Sequence, residues 1–118
     1  MSAADSSVQL EVLAAPDWAS AVAGRLAGRI RATPAIRLCL PTGQTPTPVY
    51  AALAAAERAG DCPMARATIV LLDEWVGLDP GDPARCDTRL RAELLDRLVA
   101  PPAFVPIEVD DPDPDAAA

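Results

Sequence analysis

The sequence predicts an α/β layer fold, a mostly parallel sheet with helices on both faces. Three observations carry this. Two short apolar runs, IRLCL (36–40) and ATIVLL (67–72), have the length of strands, and the second is apolar at consecutive positions, as a strand buried on both faces must be. Segments with helical start and stop signals stand between and beside them. Strand and helix signals alternate along the chain, the order that joins parallel strands by right-handed crossovers.

The elements follow in order. Residues 1–6 are small and polar and read as a frayed end. VQLEVL (8–13) alternates Val8, Leu10 and Val12 with Gln9 and Glu11, which predicts a half-exposed edge strand. Asp17 follows Pro16 as a helix cap, and Trp18, Val22, Leu26 and Ile30 then recur every four residues along one helix face. Gly24 and Gly28 in that helix suit either a close approach to a sheet or two tolerated glycines. After the strand at 36–40, residues 47–59 read as a helix, capped by Thr45 or Thr47, with a proline at its first position and Gly60 as its stop. Cys39 inside the strand and Tyr50 on the helix read as core residues. Beyond the strand at 67–72 and a proline-rich loop, Asp87 is the expected cap of a helix with Leu90, Leu94 and Leu98 on one face and a Glu93–Arg97 pair. FVPIEV (104–109) suggests one more strand, and DDPDPDAAA an acidic tail. No repeat or linker divides the 118 residues, so one domain, 1–118, is expected.

Composition excludes several kinds of function. A net charge of −7 opposes non-specific binding to DNA or anionic membranes, and 3% aromatics cannot line a groove for single-stranded nucleic acid. With no histidine, imidazole acid–base chemistry and His-ligated metals are unavailable. The three cysteines, Cys39, Cys62 and Cys86, have neither disulfide nor zinc spacing and suit a reducing compartment. MSAADSSVQ does not read as a signal peptide, and no apolar run reaches the roughly 18 residues of a membrane span, so a cytoplasmic protein is expected.

Two loops are candidates for chemistry. Both leave the carboxyl ends of their strands, and in a parallel sheet both emerge on the one edge where open α/β sheets bind ligands. In PTGQTP (41–46), Gly43 permits a tight turn and close approach to a ligand. The amides of Gly43, Gln44 and Thr45 sit at a helix entry that favours anions, and Thr42 and Thr45 add hydroxyls. There is no Walker lysine, so a nucleotide P-loop is excluded. The other reading of this loop is a plain strand-to-helix turn with a Thr cap. In the second loop, Asp73 and Glu74 follow the buried strand directly. Two carboxylates there suit proton transfer if partly buried, or are solvated loop acids if the strand has ended. Trp75 and Val76 read as packing residues and Gly77 as a turn residue. Arg85 and Arg89, near the same edge, read as phosphate contacts or as surface arginines.

At these residues the sequence resembles the glucosamine-6-phosphate deaminase (isomerase)/6-phosphogluconolactonase family. LCLPTGQTPTPVYAAL is similar to the family's first phosphate loop and following helix, and LLDEWVGL to the Asp-Glu-aromatic-x-Gly-Leu segment of the deaminases, where lactonases more usually carry Asp-Glu-Arg. DPARCDTRLRAELLDRL and VPIEVDDPDPDAAA resemble the helix, strand and acidic turn that come next, so the likeness spans nearly the whole chain. The resemblance implies a modified Rossmann-type domain, truncated here. It implies a phosphosugar substrate held by Gly43, Gln44 and Thr45. Asp73 would move a proton between C2 and C1, with Glu74 beside it supporting orientation or charge. It implies no metal or organic cofactor; that no nucleic-acid or membrane partner is expected rests on the charge and composition above. Three departures stand out. The family's second half supplies a histidine, further acids and a basic phosphate ligand, and this chain has no histidine. Gln44 stands where many deaminases have Gly or Ser. Cys86-Asp87 replaces a common Ser-Tyr. The alternatives to deaminase chemistry are lactone hydrolysis, a non-catalytic phosphosugar-binding module, and an inactive fragment. A half sheet would also expose a strand edge, to be covered by self-association or by a complementary chain.

Overall fold

The computed structural model describes residues 8–110. The expected frayed end at 1–6 and nearly all of the acidic tail lie outside them. Three helices and three strands alternate: α1 (Trp18–Ala32), β1 (Arg37–Leu40), α2 (Thr47–Arg58), β2 (Thr68–Leu71), α3 (Cys86–Glu93) with a 3₁₀ turn at Leu95–Arg97, and β3 (Ala103–Val105). The sheet is parallel throughout, in the order β1-β2-β3.

Each crossover steps to the next strand in the same direction. With one handedness, such steps put every connecting helix on the same face of the sheet. Burial agrees. Leu38, Leu40, Ile69, Leu71 and Phe104 are register partners and share a face. They join one core with Ala23, Ala27 and Ile30 of α1, Val49, Tyr50 and Leu53 of α2, and Leu90 and Leu94 of α3. The Arg91 guanidinium closes one end of it, 4.7 Å above the Phe104 ring. The other face, with Arg37, Cys39, Ala103 and Val105, is exposed. So the α/β class and the parallel sheet are as expected, while among the described residues helices cover one face only. Cys39 is accordingly a surface residue, not a core one.

Local signals explain the boundaries. Gly60 ends α2 at a φ of +85°, donating to Glu57 O at 3.0 Å while Asp61 N reaches Ala56 O at 2.9 Å, the paired bonds of a Schellman stop. The Glu57 carboxylate then holds the amides of Val99 (3.0 Å) and Ala100 (2.9 Å), which fixes the approach to β3. Leu90, Leu94 and Leu98 are all buried as their spacing predicts, although the helix tightens after Glu93.

Several expectations are corrected. VQLEVL forms no strand, because it has no neighbour to pair with among the described residues. Val8, Leu10 and Val12 are exposed, and Glu11 ties the segment to Arg25 of α1. The last strand stops at Val105, where Pro106 brings no N–H to the ladder. Neither Thr45 nor Thr47 caps α2, whose N-cap is Pro46. Arg85, not Asp87, is the N-cap of α3. Glu93 pairs with Arg89 at 2.9 Å rather than with Arg97.

Gly24 settles as a tolerated glycine. It is exposed within α1, and a Cβ there would meet nothing within 4 Å. Gly24→Ala is therefore expected to stabilise the fold by about 0.5–1 kcal/mol through lower unfolded-chain entropy, read as a higher urea midpoint at unchanged slope.

Candidate functional site

β1 and β2 end in register, with Leu40 opposite Leu71 and Leu72 N donating to Leu40 O at 3.1 Å. The two loops therefore leave the sheet side by side. Between them and the start of α3 lies a cleft of about 290 Å³, lined by Thr42, Gly43, Asp73, Glu74, Trp75, Ala84, Cys86 and Arg89. That is near the low end of ligand pockets, roughly 300–1,000 Å³.

The first loop is shaped by Gly43, whose φ of +128° suits glycine alone. The prolines alter the anion site expected here. Pro46 and Pro48 bring no N–H to the helix entry, so free donors must come from the loop. Among the described residues the amides of Gly43, Gln44 and Thr45 have no hydrogen-bond partner. Thr42 and Gly43 line the cleft. Gln44 and Thr45 do not; Thr45 borders a neighbouring apolar groove between α1 and α2. The buried Tyr50 hydroxyl donates to the Pro41 carbonyl and ties α2 to the loop, and burial pushes its pKa upward. The Thr47 hydroxyl donates to the Gly43 carbonyl at 2.8 Å and accepts from Arg89 Nη2 at 3.3 Å, which anchors the loop to α3.

The adjacent acids of the second loop have different fates. Asp73 is exposed on the cleft wall, and among the described residues its carboxylate accepts no hydrogen bond. Glu74 is half-buried. Its Oε1 accepts from Cys86 N at 2.7 Å and Trp75 N at 2.9 Å, and its Oε2 from Asp87 N at 2.8 Å. The Cys86 and Asp87 amides open α3, so Glu74 supplies the cap that sequence reading gave to Asp87. The crowding of two unsolvated carboxylates does not arise. Trp75 and Val76, expected to pack, are 61% and 67% exposed, and Trp75 forms part of the cleft wall.

α3 supplies the residues sequence reasoning missed or left open. Arg85 is buried, with Nη2 2.8 Å from Asp87 and Nη1 2.7 Å from Asp110, so it locks the segment after β3 to the start of α3 and is not free for substrate. Burial alone would raise the Asp87 carboxyl, but hydrogen bonds from Arg85 and Thr88 hold it below the usual carboxylate range. The Cys86 thiol faces the cleft with its pKa raised, by burial first and also by the Glu74 and Asp73 charges, against an opposing hydrogen bond with Thr42. It is therefore a poor thiolate nucleophile at neutral pH. Arg89, left open in the sequence, lines the cleft. Nothing in the sequence pattern separates it from Arg85; the structure alone does.

A parallel α/β sheet with a glycine turn and an acidic loop opening into one cleft at its carboxyl edge defines an open-sheet α/β protein, with its cleft at the edge where such sheets bind ligands. The chain belongs to the family of glucosamine-6-phosphate isomerases/6-phosphogluconolactonase, whose profile matches residues 11–118. A glucosamine-6-phosphate deaminase of Streptomyces coelicolor is 40% identical over 92 residues, which make up 75% of this chain and 35% of that protein. One of Beutenbergia cavernae is 36% identical over 107 residues, 88% of this chain and 40% of that protein. The chain thus spans a little over a third of the length of these relatives. Among solved structures, a monomeric glucosamine-6-phosphate deaminase superposes with a TM-score of 0.82 at 22% identity, over 92% of this chain and 46% of that one. A Neisseria gonorrhoeae protein described as a 6-phosphogluconolactonase gives 0.64 at 23% identity, over 86% and 44%. No helix among the described residues is long and apolar enough to cross a membrane.

Proposed function

We propose that this chain forms the phosphosugar-binding and proton-transferring part of a glucosamine-6-phosphate deaminase/isomerase site, working in the cytoplasm. The supporting observation is the shared cleft, with the Gly43 turn on one wall and the Asp73 carboxylate on another. The Gly43 amide and the Thr42 hydroxyl, which line the cleft, receive the phosphate, with the unpartnered Gln44 and Thr45 amides of the same turn beside them. Asp73 takes a proton from C2 of the ring-opened sugar and returns it to C1, through an enediol-like (for the amino sugar, enolamine) intermediate; water then adds to the resulting C2 imine and ammonia leaves. Glu74 acts from behind, holding α3 in place. Ring opening by a histidine has no group here, since the chain has none. A second copy would carry no histidine either, so ring opening is not assigned to these residues; the open sheet face would be covered by a complementary chain or by a second copy.

Lactone hydrolysis is the runner-up, supported by the lactonase likeness in fold. The deaminase reading is preferred because Trp75 follows Asp73-Glu74 and because the relatives named above at 36–40% identity are deaminases. Calorimetric titration of the chain with glucosamine 6-phosphate, 6-phosphogluconate and glucosamine tests this. Binding of the first, weaker binding of the second and none of the third are expected. A preference for 6-phosphogluconate would turn the assignment to the lactonase.

A further inference from the structure

The cleft is uneven in charge. Asp73 and Glu74 stand together at the end of β2, and Arg89 is the one cation among the described lining residues. The N-terminus of α3 is closed to a further anion, because Glu74 already occupies the amides of Cys86 and Asp87. The Arg89 guanidinium is only partly used. Its Nε donates to Glu93 Oε1 at 2.9 Å and its Nη2 to Thr47 Oγ1 at 3.3 Å. Among the described residues Nη1 has no partner, so most of the five N–H donors of the fork stay free. Thr47 is at the same time bonded to the Gly43 carbonyl, so the guanidinium is braced against the glycine turn.

We infer that Arg89 is the cationic ligand for the anionic end of the substrate, braced by Glu93 and Thr47 so that a phosphate lies between its guanidinium and the Gly43 turn. This rests on the phosphosugar reading above and adds the polarity of binding. The two carboxylates repel a phosphate from the β2 side of the cleft, while Arg89 and Thr42 receive it on the other. A six-carbon sugar bound this way extends its reactive carbons toward Asp73. A guanidinium suits the role because its planar fork offers paired donors to phosphate oxygens, which a lysine cannot match.

The test is an NMR and calorimetric titration of the whole chain with inorganic phosphate and with glucosamine 6-phosphate. Arg89→Met is expected to weaken both ligands at least about tenfold, the scale of a lost charge-assisted fork. Glu93→Gln removes the competing charge and is expected to tighten phosphate roughly two- to fivefold, a gain that a damaged fold cannot produce. If the unaltered chain binds both ligands and Arg89→Met does so within a factor of two, Arg89 is not the ligand and the phosphosugar reading stands. Weaker phosphate binding by a folded Glu93→Gln would also overturn the electrostatic account. If the unaltered chain binds neither ligand, the phosphosugar reading itself fails and this inference goes with it.

Discussion

Asp73→Asn is expected to lower turnover of glucosamine 6-phosphate by about 10²–10⁴-fold, the range for loss of a positioned general base. The measurement uses a chimera in which this chain replaces the matching segment of the Streptomyces coelicolor deaminase, with ammonium release as the readout. The amide has nearly the shape of the carboxylate but cannot accept a proton from C2. Folding stability should stay within about 0.5 kcal/mol, because Asp73 is exposed and its carboxylate accepts no hydrogen bond among the described residues. Substrate affinity should change little or rise slightly, since a charge that repels phosphate is removed. Full turnover in the Asp73→Asn chimera would take the proton-transfer role away from this residue, whatever else lines the cleft.

What the sequence discloses about such a site depends on how far apart the interacting residues lie. The strands at 36–40 and 67–72 are visible because apolar runs of that length answer mainly to their own composition, and their observed cores are Arg37–Leu40 and Thr68–Leu71. The meeting of the two loops is visible too. It follows from topology alone, since parallel neighbours deliver their carboxyl ends to one edge. VQLEVL misleads because strand formation belongs to a pair of segments, and alternation in one cannot supply the other. Trp75 and Val76 mislead in a related way. Hydrophobicity predicts burial, but both stand on a loop that no described residue packs over. The partners of Glu74, Cys86 and Asp87, lie a dozen residues downstream across a proline-rich loop whose path no local rule predicts. Arg89 and Arg85 differ for the same reason. The first faces the cleft and the second disappears into a clamp with Asp110, a distinction set by tertiary folding and invisible in spacing.

Replacing the neighbouring acid should have the opposite effect to Asp73→Asn. Glu74→Ala is expected to destabilise the chain by about 2–3 kcal/mol, a loss visible as a lower urea midpoint. Two contributions reach that size. The amides of Cys86 and Asp87 lose a charged acceptor, each bond worth about 1–2 kcal/mol in such a setting, and the favourable negative charge at the helix start, about 0.3–1 kcal/mol, goes as well; water at this half-buried site offsets part of the sum. α3 is vulnerable because its eight residues are too few for a self-sustaining helix, so its stability comes from the cap and from the burial of Leu90 and Leu94. Glu74→Gln should lose less, about 1–2 kcal/mol, because its carbonyl still satisfies one amide while its NH₂ opposes the other. Amide hydrogen exchange locates the effect. Cys86 and Asp87 should exchange faster in both variants, while the α2 amides around Leu53, in the centre of the core, keep their protection relative to global stability. The stability loss belongs to Glu74 alone among the two acids, since Asp73→Asn leaves the helix start and its bonds untouched. A Glu74→Ala chain with unchanged midpoint and unchanged exchange at Cys86 would mean that the carboxylate does not cap α3, and that the division of labour between these adjacent acids is wrong.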